Sequence, residues 1–339
     1  MSETAVEGPY TWSASWEDPP DASSTMAHSS IAITRDGRLV TGATSDPGLW
    51  IHQADGGRRT MVPVADVVNP HGLTLVEHGG EELVWIADTG TLVRGGAEEL
   101  TVDRDPAGGK VLLVDLEGNV RQRLARPPSD VYRDCYYAPT GVAVATAAAG
   151  GSGDVWVVDG YGAGLLHRYD SAGRHLESLD GTEGAGRFSE PHDVTLLALG
   201  GESELWVTDR RNARIQVFDL AGRFKRAFGT ESLRGPTQLA AAGDRVVVTD
   251  LLAGRLTVFD AGGRCLGHLF AAASSPSDWD DNGDGWPNAR GADGTMVAAT
   301  LVDGAFRCPH GIAFGDDGTM YVSEFAIGGR IAVLTPRPE

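Results

Sequence analysis

One strand pattern recurs six times along this chain, and that periodicity restricts the fold more than any other feature. Three copies open on a Pro-His pair: Pro70-His71, Pro191-His192 and Pro309-His310. Each pair runs into an alternating apolar stretch, Gly72-Leu73-Thr74-Leu75, Asp193-Val194-Thr195-Leu196 and Gly311-Ile312-Ala313-Phe314. Pro139-Thr140-Gly141-Val142-Ala143-Val144 and Pro236-Thr237-Gln238-Leu239-Ala240 begin the same way, and Ser29-Ser30-Ile31-Ala32-Ile33 is a degenerate sixth copy. A second strand follows each start, as in Val84-Trp85-Ile86-Ala87-Asp88 or Leu205-Trp206-Val207-Thr208-Asp209. Then come a third strand, a glycine hairpin and a polar outer strand.

Short β-branched and aromatic runs bounded by Gly and Asp turns read as all-β. Roughly 40–50 residues per four-stranded unit is propeller spacing. Six units in 339 residues therefore predict a six-bladed β-propeller over residues 27–339, with insertions near 90–110 and 271–305. A closed ring of blades is one unit, so the length does not imply two domains. Residues 1–26 are polar and proline-rich. They are expected to form a tail, or a strap across the first blade anchored by Trp12 and Trp16.

Charge and cysteine content narrow the setting. A net charge of −19 excludes nucleic acid, because phosphate binding needs a basic face. No run of about 18 apolar residues is present to span a membrane. The N-terminus lacks a basic segment followed by an apolar core, so no secretory signal is read there. Cys135, Cys265 and Cys308 cannot all pair within one chain, and a reducing, cytoplasmic compartment is the simpler reading. A monomer is expected.

The histidines carry the chemistry. His71, His192 and His310 start blades two, four and six, which places them about 120° apart around a six-fold channel. Three neutral imidazoles on one side of a metal leave a fourth position open, as in catalytic zinc sites. The alternative is that Pro-His is a tolerated variant of the strand start, its ring packed in the channel. That explains one such histidine readily, and three at alternating blades poorly. Asp280, Asn282, Asp284 and Gly285 fit the first half of a Ca2+ loop, although Gly291 stands where the closing glutamate belongs. Asx-turns in a polar lid would leave the same letters. His52, His78, His167, His175 and His268 fall on outer strands or turns and are expected to be solvated, while His28 is placed near the first-blade channel.

The repeat resembles the NHL family, with its Pro-x-Gly-Ile/Val-Ala-Val start and Val-Ala-Asp strand end, over about residues 28–335. Several segments further resemble the lyase module of peptide α-amidation, peptidyl-α-hydroxyglycine α-amidating lyase. They are Asn69-Pro70-His71-Gly72-Leu73, Val158-Asp159-Gly160-Tyr161, Gly186-Arg187-Phe188-Ser189-Glu190-Pro191-His192, Asp209-Arg210-Arg211-Asn212-Ala213-Arg214, and Pro309-His310-Gly311-Ile312. The resemblance implies zinc, or another divalent transition metal, on His71, His192 and His310. It implies Tyr161 as base and Arg210 as its assistant. The reaction it implies cleaves the C–N bond of an α-hydroxyglycine-type amide, a carbinolamide, to an amide and an aldehyde such as glyoxylate. The substrate is then a small or peptide-like molecule in the central channel.

Departures from the family are equally specific. Thr44 stands where the family has an arginine for the substrate carboxylate, and Cys308 replaces a methionine. Gly311 replaces an aspartate of the family's calcium site, and Gly162, Trp206 and Val217 replace its disulfide cysteines. Cys308 reads as a residue packed under the metal, a soft ligand or a reactive thiol. Two other functions stay open at this stage: a non-catalytic NHL interaction scaffold, and a zinc-dependent hydrolase on the same framework.

Overall fold

Six antiparallel four-stranded sheets form the molecule, in a computed structural model that describes residues 9–17, 26, 29–43, 47–95, 100–272 and 286–338. Each blade begins on an inner strand at the channel: Ile31–Ile33, Pro70–His78, Gly141–Ala145, Pro191–Leu199, Pro236–Ala242 and Pro309–Phe314. The second strands, such as Asp154–Val158 and Arg245–Asp250, are buried on both faces along nearly their whole length. That explains their continuous Val, Ile and Trp content. Outer strands such as Val120–Leu124 alternate buried and exposed residues, as one wet face requires.

Blade packs on blade through six apolar clusters. Trp156, Val158 and Leu166 of blade three meet Leu205, Val207 and Phe218 of blade four. Trp206, Ile215 and Val217 of blade four meet Val246, Val248 and Phe259 of blade five. The junction of blades six and one is smaller, built on Ile31, Leu39 and Ile331 with Trp16 and Tyr321 against it. It is the joint where the chain's two ends must be held together.

Residues 10–17 hold it, and they do so differently from the sequence expectation. Tyr10–Glu17 forms the fourth strand of blade six, paired antiparallel with Arg330–Pro336 from Tyr10↔Pro336 to Glu17↔Arg330. The edge of that last strand would otherwise stay unpaired, and covering it closes the ring. Trp12 packs against Phe306 and Phe270, ring centroids 4.9 and 5.5 Å away, beneath the Arg330 guanidinium. Trp16 reaches across to His52 of blade one and Tyr321 of blade six. Trp12→Ala is therefore expected to cost about 2–3 kcal/mol, scaled down from full aromatic deletion because the ring is only half-buried. Urea denaturation followed by fluorescence measures it; a change under about 0.5 kcal/mol, the size of an ordinary surface substitution, would deny Trp12 this anchoring role.

The insertions carry structure of their own. Thr91–Gly95 and Leu100–Arg104 form a hairpin between the second and third strands of blade two. Ala289–Arg290 and Met296–Val297 pair between blades five and six. Among the described residues no helix is long and apolar enough to cross a membrane.

Two histidines expected to be solvated are buried instead. His167 is fully enclosed between Tyr132 Oη (2.7 Å) and Ser178 Oγ (2.8 Å), and burial pulls its pKa down to about 3. His52 bonds Thr41 Oγ1 at 3.1 Å and is pulled down to about 4 for the same reason. His28 lies outside the described residues.

Candidate metal centre

The repeated carboxylate at the end of each second strand shapes the loop that delivers each histidine. Asp88 accepts the backbone N–H groups of Val68 and Asn69, and Asp209 that of Ser189. Glu324 accepts those of Arg307 and Cys308. In every case the captured amides lie two or three residues before the histidine. Proline then fixes φ and starts the inner strand. Register breaks immediately afterwards, between Pro70 and Gly72, Pro191 and Asp193, and Pro309 and Ile312. A bulge of this kind re-aims a side chain, and here it turns each imidazole into the channel.

A circle of bonds between blades locks the inner strands at this level. His71 Nδ1 donates to Thr140 O (2.7 Å), and Thr140 Oγ1 to Pro191 O (3.2 Å). His192 Nδ1 donates to Thr237 O (3.0 Å), and Thr237 Oγ1 to His310 O (2.9 Å). Ser323 Oγ then donates to Ser29 O (2.9 Å), and Ser30 N to His71 O (2.8 Å). The hydroxyl residues between the histidines are thus spacers that tie each blade to the next. Gly72 permits the approach of blade three, because a Cβ there would collide with Thr140 O.

The three rings converge. Their centroids are 4.8 Å (His71–His192), 5.0 Å (His71–His310) and 4.8 Å (His192–His310) apart, with planes 64–84° from one another. One donor nitrogen from each falls within 4.8 Å of the others, and all three residues are buried. A carbonyl can only accept, so the bonds from His71 and His192 put the proton on Nδ1 and leave Nε2 with its lone pair. Burial pulls His192 down to about 3, which keeps it neutral at ordinary pH. Three converging buried imidazoles, two of them oriented through Nδ1 and none accompanied by a carboxylate, fit zinc or a similar divalent transition metal.

Tyr161 and Arg210 sit on this cluster. Tyr161 Oη is 3.0 Å from His192 Nε2 and 3.4 Å from His71 Nε2. Arg210 Nη1 donates to the same hydroxyl at 3.4 Å, and its guanidinium lies 5.2 Å from the tyrosine ring centre. Burial pushes the Tyr161 phenol up, and the Arg210 charge works against that shift. Five residues distant in sequence therefore meet at one point.

Glu190 is the group that sequence reading passed over. Its carboxylate pairs with Arg210 Nη2 through one oxygen and with Arg211 Nε, at 2.7 Å, through the other. It holds a backbone φ of 58°, a left-handed conformation that a residue with a side chain seldom adopts. Its position directly before Pro191-His192 was the available signal.

Cys308 packs with Met26, Leu251, Trp286 and Phe325, and burial raises its thiol well above the usual range. The donor cluster consists of the three histidines without its sulfur. Thr44 and the proposed Ca2+ residues Asp280, Asn282 and Asp284 lie outside the described residues. Trp286–Asn288 is tied to blade six, and Trp286 packs with Cys308 and Phe325. Asn288 Oδ1 accepts from Ile327 N (2.8 Å), Arg307 Nε donates to Pro287 O (2.6 Å), and Met26 N donates to Val93 O (3.1 Å).

No family model matches the chain. It is 30% identical over 205 residues to human NHL repeat-containing protein 3, a match that takes in 58% of this chain and 53% of the human protein. It is 26% identical over 276 residues to the peptidyl-glycine alpha-amidating monooxygenase B of Xenopus laevis, covering 76% of this chain and 27% of that protein. The chain thus spans about half the length of the first relative and about a quarter of the second. Virginiamycin B lyase from Staphylococcus aureus superposes with a TM-score of 0.56 at 15% identity, over 95% of this chain and 98% of the lyase. Ring and superposition together define an all-β, six-bladed propeller. Its repeat is of the NHL type, as in the relatives it matches.

Proposed function

We propose that the protein is a zinc-dependent C–N lyase that cleaves a carbinolamide to an amide and an aldehyde. The observation that carries this reading is the Tyr161 hydroxyl, 3.0 Å from His192 Nε2 and in contact with Arg210 inside a buried three-histidine cluster. A zinc ion held by His71, His192 and His310 would supply Lewis acidity to a substrate carbinol. Tyr161 takes the carbinol proton as base. Arg210 stabilises the phenolate, offsetting the burial that otherwise disfavours it. As the carbon–oxygen bond becomes a carbonyl, the C–N bond breaks and its electron pair leaves with the amide nitrogen. Tyr161 returns its proton to that nitrogen, so the residue ends the cycle as it began. The similarity to the Xenopus laevis peptidyl-glycine alpha-amidating monooxygenase B supports a reaction that leaves an amide product.

A non-catalytic scaffold is the second reading; the human relative is named for its NHL repeat and for no reaction. Elemental analysis of the purified protein separates the two. About one equivalent of zinc, followed by turnover of α-hydroxyglycine amides, is the lyase result; no metal after incubation with zinc leaves the scaffold. Three unpaired cysteines support placing the protein in a reducing, cytoplasmic compartment.

A further inference from the structure

Blades two to six each end their second strand on a buried carboxylate: Asp88, Asp159, Asp209, Asp250 and Glu324. In four of these blades the residue that opens the third strand is basic and supplies the countercharge. Arg214 Nε meets Asp209 at 2.7 Å, Arg255 Nε meets Asp250 at 3.4 Å, and Arg330 pairs with Glu324. Lys110 lies opposite Asp88, and its charge acts on that carboxyl. The three arginines also donate to carbonyls of the loop ahead of the inner strand, among them Ala185 O, Ser232 O and Ala305 O. Each arginine thereby fixes its loop and its carboxylate together.

Blade three, which carries Tyr161, is built differently. Val158 pairs with Leu166, which sets Leu165 in the place of the basic residue. Among the described residues, Asp159 is held by neutral donors alone. Ala138 N reaches one oxygen at 2.7 Å, while Ala163 N (2.6 Å) and Tyr132 Oη (2.7 Å) reach the other. Because the phenol hydrogen goes to Asp159, the phenol oxygen accepts Nε2–H of the neutral His167 at 2.7 Å. His167 Nδ1 in turn accepts from Ser178 Oγ at 2.8 Å. One assignment of protons satisfies every link, and all the donors point toward Asp159. Tyr161 stands in the loop folded around that carboxylate. Its N–H donates to Ala138 O (3.3 Å), and a Cβ on the next residue, Gly162, would collide with Asp159 Oδ1.

We propose that Tyr132 and His167 are positioning residues for Tyr161, acting through Asp159. The phenol does in blade three what an arginine does in blades four to six. Tyr132 lies in the turn Asp130–Arg133 ahead of the inner strand and ties that loop to the carboxylate. The placement follows from the hydrogen bonds, while its consequence for turnover rests on the lyase reading. A reacting group misplaced by about 1 Å can cost about 10²-fold in rate, so loss of this hold is read in kcat.

Tyr132→Phe removes the hydroxyl and His167→Leu its support, whereas His167→Gln can still donate to Tyr132 Oη. The readout is the NMR signal of Tyr161 in zinc-loaded, full-length protein carrying ring-13C tyrosine, assigned by its loss in Tyr161→Phe. It is expected to shift in Tyr132→Phe and His167→Leu, and to keep its wild-type position in His167→Gln. On α-hydroxyglycine amides, kcat is expected to fall about tenfold or more in the first two, with KM within about threefold. Val155→Ala is the control, loosening the core of blade three without touching the chain of hydrogen bonds. It should leave both the signal and kcat as in the wild type. An unmoved Tyr161 signal in Tyr132→Phe overturns the proposal, and so does the same shift in Val155→Ala. If Tyr132→Phe does not fold, the His167 pair decides, and identical signals in its Leu and Gln variants overturn the proposal. A wild type that turns over no carbinolamide defeats the lyase reading, and the Tyr161 signal still judges the positioning.

Discussion

A His192→Ala protein should contain less than about a hundredth of the bound zinc of the wild type under limiting metal, and should show no measurable turnover. Loss of an outer-shell partner of a metal site already costs about 10–100-fold in affinity, and a direct ligand costs more. His192 contributes in two further ways: its Nε2 meets Tyr161 Oη, and its Nδ1 anchors blade four to Thr237 O of blade five. Elemental analysis and activity on one preparation check the prediction. The circular dichroism spectrum should stay that of a folded propeller, since the interblade clusters that hold blade four do not include this residue. Retained stoichiometric zinc would remove the three-histidine centre, whatever happened to activity.

How much of this site could be read from the letters depends on how local its cause is. The three histidines were legible because a repeat turns sequence position into angular position. The bulge that aims them needs only the Pro-His pair and the carboxylate at the strand end. Tyr161 and Arg210 were legible by resemblance; no periodicity distinguishes them from rim residues. Closure of the ring was not legible, because Tyr10–Glu17 pairs with residues more than 300 positions away and carries no signal for that partner. His167 was misread as solvated because its strand alternates like an outer one. Burial comes from Tyr132, on a loop inserted ahead of blade three, whose hydroxyl also donates to Asp159 (2.7 Å). Glu190 is marked in the letters only by its place before Pro191-His192, because its pairing with Arg210 depends on a left-handed backbone that sequence alone does not reveal.

Tyr161→Phe separates chemistry from metal binding, and it should lower kcat by about 10²–10⁴-fold, the range for loss of a positioned acid–base group. The phenylalanine ring keeps the aromatic contacts with His71 and His192, whose centroids lie 5.3 and 5.7 Å away. It also keeps the face beneath the Arg210 guanidinium. What it removes is the one oxygen that touches two imidazole nitrogens and Arg210 together. Zinc content should therefore stay near one equivalent, because the His71 and His192 rings are oriented from their other nitrogen by Thr140 O and Thr237 O. KM should move far less than kcat, since a proton acceptor contributes mainly in the transition state. Steady-state kinetics and elemental analysis of the same variant distinguish three results. A fall in kcat with zinc retained assigns Tyr161 as the base. Wild-type kcat would remove it from the reaction. Loss of zinc together with activity would make the phenol part of the metal-binding set, and the proton would then need another acceptor.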